Sequence, residues 1–360
     1  MSSDYKNIRE CLTYDDVQLV DKYSEVRHRA TDCVVSTQFT KKLKIDIPIV
    51  SAPMDTVTGW RMAVQLARLG GVGVIHRFGD TVQEVRKMVS EIGEIASACG
   101  EFTGTIPICA SIGATGDYLS KAEALLAAGA NVLLIDVAKG NCIVVKESIE
   151  QLKKIGGNFE IIAGNVATRE GARNLCEWGV DAIRVGIGGG SVCTTRIMTG
   201  VGTPQLTAVM DCASVAYDFD VPVIADGGIR YPCDVAKALA AGAQTVMIGR
   251  LFSGTKEAPG EIIIELGEWG KERKFKKYRG SASLSAKLDR GEGNVHVEGT
   301  DKLEPYKGSV CKIVEKILGG VKSSMGYVGA KTIPIFQDKA EFQRVTSAGI
   351  REAYPHALLD

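Results

Sequence analysis

The stretch Val221-Pro-Val-Ile-Ala-Asp-Gly-Gly-Ile-Arg-Tyr-Pro-Cys-Asp-Val-Ala-Lys-Ala-Leu-Ala-Ala-Gly-Ala-Gln-Thr-Val-Met-Ile-Gly249 reads as strand, helix, strand. Val221–Asp226 and Thr245–Gly249 are short apolar runs rich in Val and Ile. Such unbroken runs suit strands covered on both faces, as in a parallel sheet. Pro232–Ala241 between them reads as a helix, and Gly242 stands where a helix C-terminus wants a positive φ.

The same grammar repeats toward the N-terminus. Six more runs of this kind are Pro48–Ala52, Val72–Ile75, Pro107–Ser111, Val132–Asp136, Ile161–Gly164 and Ala182–Gly186. Helix-like segments alternate with them: Thr58–Leu69, Val82–Cys99, Leu119–Ala128, Ile143–Ile155, Arg169–Trp178 and Gln205–Asp218. Gly70, Gly129, Gly156 and Gly179 close several of these as Gly242 does. Eight strands in strict alternation with helices predict a closed (β/α)8 TIM barrel. An open doubly wound sheet is the alternative, but no G-x-G-x-x-G follows the first strand. The whole chain, 1–360, is assigned to one barrel domain. Residues 270–308 lie after the eighth strand and are dense in Lys, Arg, Gly and Glu, which predicts a long mobile flap over the active site. The helical stretch Ile313–Leu318 and the tail Val345–Asp360 are expected outside the barrel.

Composition sets the class. Apolar residues make up 45% and charged residues 24%, as in a soluble globular protein. Lys+Arg and Asp+Glu both number 43, so nothing points to nucleic acid or a membrane surface. No run approaches the roughly 18 apolar residues of a membrane span, and the N-terminus lacks a signal-like stretch. The cytoplasm is therefore the expected compartment. The ten cysteines include no C-x-x-C pair, and the four histidines show no ligand spacing, so a zinc site is not expected.

In this fold the chemistry sits at the C-terminal ends of the strands. The loop after the sixth strand reads Gly186-Ile-Gly-Gly-Gly-Ser-Val-Cys-Thr-Thr-Arg196. Its glycines permit unusual backbone angles and close ligand approach. Cys193 is thus a candidate nucleophile toward an electrophilic ring carbon, beside Thr194, Thr195 and Arg196; the bland alternative is a buried cysteine after a turn. Loops after the seventh and eighth strands, Ala225-Asp-Gly-Gly-Ile-Arg230 and Ile248-Gly-Arg-Leu-Phe-Ser-Gly254, offer backbone N–H groups to a phosphate. Asp226 suits a ribose diol. Asp136 and Asn165 end the fourth and fifth strands; each is either a ligand contact or a helix cap. His76 ends the second strand, as a rim residue or a site contact.

These loops, with Leu12-Thr-Tyr-Asp-Asp-Val17, Ser51-Ala-Pro-Met-Asp-Thr-Val57, Ala163-Gly-Asn-Val-Ala-Thr168, Lys277-Tyr-Arg-Gly280 and Val345-Thr-Ser-Ala-Gly349, resemble the IMP dehydrogenase/GMP reductase family over nearly the whole chain. The resemblance implies a purine nucleoside monophosphate whose C2 bonds to Cys193, with Thr195 as proton partner. It implies that Ser191, Asp226, Gly228, Gly249, Arg250 and Tyr278 hold ribose and phosphate, that Gly280 also contacts the substrate, and that Ser51 and Met54 approach the base. Asp136, Ala138 and Gly186 would face the nicotinamide. A homotetramer, and a K+ ion on the carbonyls of Gly188, Gly190 and Cys193, are implied in the same way.

The family runs two reactions. One oxidises IMP with NAD+ and hydrolyses the product to XMP; the other uses NADPH to convert GMP to IMP and ammonia. Several features resemble the reductase. The CBS regulatory domain common between strands two and three of the dehydrogenase is absent, and no Arg-Tyr pair, whose arginine activates water, occurs between Ser281 and Gly308. Pro53, Gly70-Gly-Val-Gly73, Glu257-Ala-Pro-Gly260 and the tail through His356 resemble the dehydrogenase instead. The reductase's relay glutamate is expected near Leu284, where there is none. Gly189 stands where the family loop commonly has a proline, and Arg77 where the reductase has a lysine. Glu298 is therefore assigned as the third catalytic residue, with Glu292 and Arg290 as other flap candidates. GMP reduction leads; the alternatives are a dehydrogenase without its regulatory domain, and a nucleotide-binding pseudoenzyme or a variant acting on a modified guanine nucleotide.

Overall fold

The computed structural model describes residues 8–99, 105–267, 271–292 and 296–355. Eight parallel strands close into a barrel: β1 (Ile49–Ser51), β2 (Val72–Ile75), β3 (Cys109–Ile112), β4 (Val132–Asp136), β5 (Glu160–Val166), β6 (Ala182–Val185), β7 (Val223–Asp226) and β8 (Thr245–Ile248). Closure pairs β8 with β1, Val246 opposite Ile49. Helices α1 (Trp60–Arg68), α2 (Thr81–Cys99), α3 (Tyr118–Ala127), α4 (Ile143–Ile155) and α5 (Arg169–Glu177) follow the first five strands. A short α6 (Thr195–Thr199) and then α7 (Gln205–Ala216) follow β6, and α8 (Pro232–Ala240) follows β7. All eight predicted strands and seven predicted helices are present, with small changes at their ends. The five helix-closing glycines all have positive φ, from +72° to +107°. Among the described residues, α2 is the one helix or strand between β2 and β3.

Strand alternation divides the apolar residues between two cores. Val50, Val74, Leu134, Ile162, Ile224 and Met247 fill the barrel interior with Phe39. Ile49, Leu133, Ile135 and Ile183 belong to the core shared with the helices. Both faces are thus covered, which is why the strands read as unbroken apolar runs. A hairpin of Thr37–Gln38 and Lys44–Ile45 closes the N-terminal end, where buried Glu160 accepts from Thr40 Oγ1 (2.6 Å) and the Lys42 N–H (3.0 Å).

The region after the barrel departs from expectation. Residues 270–308, expected as a mobile excursion, contribute to an antiparallel sheet of β9 (Ile263–Leu266), β10 (Glu272–Arg279) and β11 (Asp301–Pro305). Helix α9 (Leu284–Asp289) lies between β10 and β11. The charges hid β10: Lys276 and Tyr278 are buried, and Lys276 Nζ donates to the Ala258 carbonyl (2.6 Å). The helix expected over Ile313–Leu318 is far longer, α10 (Val310–Val328), and packs on α8. Phe342–Arg344 pairs antiparallel with Val17–Leu19 outside the barrel. Gly270, 293–295 and the tail from His356 lie outside the described residues. No helix among the described residues is long and apolar enough to cross a membrane.

Candidate active site

The strand ends bring four polar residues together. Asp136 ends β4, Asn165 lies in β5, Arg184 in β6, and Asp226 ends β7. Arg184 Nη1 donates to Asp136 Oδ1 (2.6 Å), while its Nε and Nη2 each reach Asp226 Oδ2 at 2.9 Å. Asn165 Nδ2 donates to the same Asp226 oxygen (2.9 Å) and to the Gly186 carbonyl (2.6 Å). Neither Asp136 nor Asn165 caps a helix: Cys142 and Thr168 occupy the N-cap positions of α4 and α5. Burial opposes the charge of Arg184, but the two carboxylates outweigh it and hold its pKa above the ordinary value.

The loop from Gly186 to Arg196 turns over this cluster. Gly186 has φ +141°, and a Cβ there would fall 2.0 Å from the Asp226 carbonyl oxygen. Gly188 has φ +72°, and a Cβ there would fall 2.4 Å from Arg196 Cγ. Glycine is needed at both places. Arg196 faces its own loop, with Nε donating to the Ile187 carbonyl (2.9 Å) and Nη2 to Thr203. It props the loop, and burial lowers its pKa. The Gly190 carbonyl accepts from the Cys193 N–H (3.1 Å).

Cys193 meets the flap here. Its Sγ donates to Thr195 Oγ1 (3.2 Å), which donates to Glu298 Oε2 (2.6 Å). Backbone contacts fix that register: Cys193 bridges Gly299, and the Thr194 N–H donates to the Glu298 carbonyl (3.3 Å). Of the three flap candidates, Glu298 alone is bonded to Thr195; Arg290 and Glu292 pair with each other (2.6 Å).

A cavity of about 540 Å³ joins these groups. Asp136, Ala138 and Gly186 line it, as do Ser191, Asp226, Gly228, Gly249, Arg250, Tyr278 and Gly280. Cys193, Thr195, Glu298, Met54, Gly188 and Gly190 complete the predicted set on its wall. Ser51 departs from expectation. It is fully buried, its hydroxyl accepts from Thr58 Oγ1 (2.7 Å), and Ala52 with Met54 forms the wall there.

Tyr278 Oη lies 3.1 Å from Ser191 Oγ, and burial pushes its phenol up to about 12. Arg250 Nε donates to Glu304 Oε1 (2.8 Å), which leaves the rest of its guanidinium for a ligand. Arg77 and Arg290 stack on the Phe78 ring, 4.5 and 4.4 Å from its centre, and Arg77 Nε lies 3.6 Å from Asp136 Oδ2. His76 is a rim residue: its Nδ1 accepts from the Phe78 N–H (3.2 Å), and it is not part of the cavity wall. Sequence reasoning missed Arg184; the available signal was a charged residue inside the apolar run Ala182-Ile-Arg-Val185. Among the described residues, no group of three or more His, Cys, Asp or Glu is disposed to hold a metal ion.

Residues 11–356 match the family model described as the IMP dehydrogenase / GMP reductase domain. The inosine-5'-monophosphate dehydrogenase of Aquifex aeolicus is 36% identical, over 98% of this chain and 96% of that protein. That of Cryptosporidium parvum is 37% identical, over 98% and 96% respectively. That of Borreliella burgdorferi is 34% identical, over 98% of each.

Proposed function

The chain belongs to the IMP dehydrogenase/GMP reductase family of NAD(P)-dependent oxidoreductases, and from that premise we propose that it converts GMP to IMP and ammonia at the expense of NADPH. The observation that carries the reading is the line Cys193–Thr195–Glu298. It gives a departing amine a proton source without the Arg-Tyr pair that the dehydrogenase uses to activate water.

The residues divide the work as follows. The Cys193 thiol proton passes through Thr195 to Glu298. The thiolate bonds to C2 of the guanine, and the proton returns through Thr195 as the C2–N bond breaks and ammonia leaves. Asp226 accepts the ribose hydroxyls through Oδ1, since Oδ2 is taken by Arg184 and Asn165. Ser191, Tyr278, Arg250 and the turns at Gly228 and Gly249 hold the phosphate. Met54 and the Gly280 turn flank the base. Asp136, Ala138 and Gly186 share the cavity wall with Cys193 and would hold the nicotinamide end of the cofactor. A bound dinucleotide would supply the hydride for C2, and Cys193 would be returned as the thiolate when IMP is released.

The test is the absorbance of reduced nicotinamide in purified protein given GMP and NADPH. A steady loss is expected, and Cys193→Ala should slow it by at least about 10^4-fold. A second reading, IMP oxidation, is favoured by the names of the relatives and by Arg290 on the cavity wall. Absorbance rising with IMP and NAD+, and none lost with GMP and NADPH, would replace the first reading with it.

A further inference from the structure

Arg184 crosses the mouth of the barrel. It belongs to β6, next to β7 with Asp226, while β4 with Asp136 lies beyond β5. The crossing needs a gap in β5. Gly164 supplies it, since a Cβ there would fall 2.7 Å from Arg184 Cβ and 2.5 Å from its carbonyl oxygen. The arginine side chain is 10% exposed, and the carboxylates are 16% and 19% exposed. Three of its nitrogens are committed, one to Asp136 and two to Asp226. A guanidinium fork can hold two carboxylates at fixed angles; a lysine ammonium, a point charge on a flexible stem, cannot reproduce that geometry.

We infer that Arg184 is a positioning residue that couples the nucleotide half of the cavity to the cofactor half. The inference rests on the functional reading above, in which Asp226 meets the ribose and Asp136 the nicotinamide end. A ribose diol on Asp226 Oδ1 fixes that carboxylate. The fork on its other oxygen is fixed with it, and so is Asp136 at the far end. The second ligand then meets a carboxylate already ordered, and less conformational freedom is lost when it binds. Linkage makes the effect reciprocal, so cofactor must tighten nucleotide by the same factor.

The experiment is calorimetric titration of IMP with and without saturating NADP+, in the Cys193→Ala background so that nothing reacts. With Arg184 in place, NADP+ should tighten IMP by about fivefold or more. In Arg184→Lys the ratio should fall to near one. A merely structural role would lower the unfolding midpoint and weaken both ligands while leaving the ratio intact, and an intact ratio in Arg184→Lys overturns the inference. Should that variant fail to fold, Asp136→Ala serves. IMP affinity without any cofactor should change by about threefold or more, and no change overturns the coupling. Failure of IMP and NADP+ alike to bind the Cys193→Ala protein would overturn the functional reading and the coupling together. Binding with an unchanged ratio overturns the coupling alone.

Discussion

Arg184 and Glu298 bring charge to the same cavity from opposite kinds of structure. Arg184 rises from inside the barrel, 10% exposed, with three nitrogens committed to two carboxylates. Glu298 comes from the flap, 27% exposed, and reaches Cys193 through the Thr195 hydroxyl. Barrel charges pair with one another across the strands, as Arg184 does with Asp136 and Asp226. Flap charges pair locally, as Arg290 does with Glu292, and hang on a smaller sheet. On the proposed function, ligand geometry falls to the barrel and the proton chemistry that decides between reactions falls to the flap.

The largest expected effect divides these roles directly. Glu298→Gln keeps the shape and the hydrogen bond from Thr195 but removes the proton acceptor. Turnover of GMP should fall by about 10^2–10^3-fold, with IMP affinity unchanged by titration. A comparable loss of affinity would mean that the flap also shapes the binding site. The converse change lies in the barrel interior. Leu134→Ala should cost about 2–5 kcal/mol of stability in a urea titration and leave kcat as it was. A drop in kcat there would show that the frame tunes chemistry as well as position.

The two regions also differed in how far they could be read from sequence. Every barrel strand was legible, because burial on both faces leaves unbroken Val and Ile runs, and the glycines after the helices mark their ends. Strand β10, Glu-Arg-Lys-Phe-Lys-Lys-Tyr-Arg, was not, because its charges conceal an alternation that only its partner strands reveal. The strand-end rule gave Asp136, Asp226 and Cys193. The strand-end rule passed over Arg184, since one charge in an apolar run carries no direction until its partners are known. Ser51 came from the family resemblance instead, and its hydroxyl turns to Thr58. Glu298 was assigned from sequence with Glu292 and Arg290 as other flap candidates, and the Cys193–Gly299 pairing sets its register against Thr195.

Tyr278 joins the two regions, for it lies on β10 yet bonds to Ser191 of the β6 loop. Its pKa, pushed up to about 12 chiefly by burial, exceeds the unfolded value of about 10. The neutral phenol therefore stabilises the fold. That contribution is fully present below pH 10 and is lost as pH rises from 10 to 12, amounting to about 2 kcal/mol. Tyr278→Phe should unfold with a flatter dependence across that window in alkaline urea titrations. An unchanged slope would mean that the phenol is wetter than its burial implies.

The smallest effect sharpens the comparison within one guanidinium. Arg279, at the end of β10, holds Asp55 from the loop after β1 (2.6 Å) and Asp289 from α9 (2.5 Å). The first carboxylate is 19% exposed and the second 63%. Pairs in water lose most of their attraction to screening, while shielded ones keep it. Asp55→Ala should therefore cost about 1–2 kcal/mol by urea titration, and Asp289→Ala should leave the midpoint where it was. The ranking follows from where each arm of one arginine rests: on the barrel it is shielded, on the flap it is not. Equal costs would mean that α9 is held as firmly as a strand end, and the division between frame and flap would have to be redrawn.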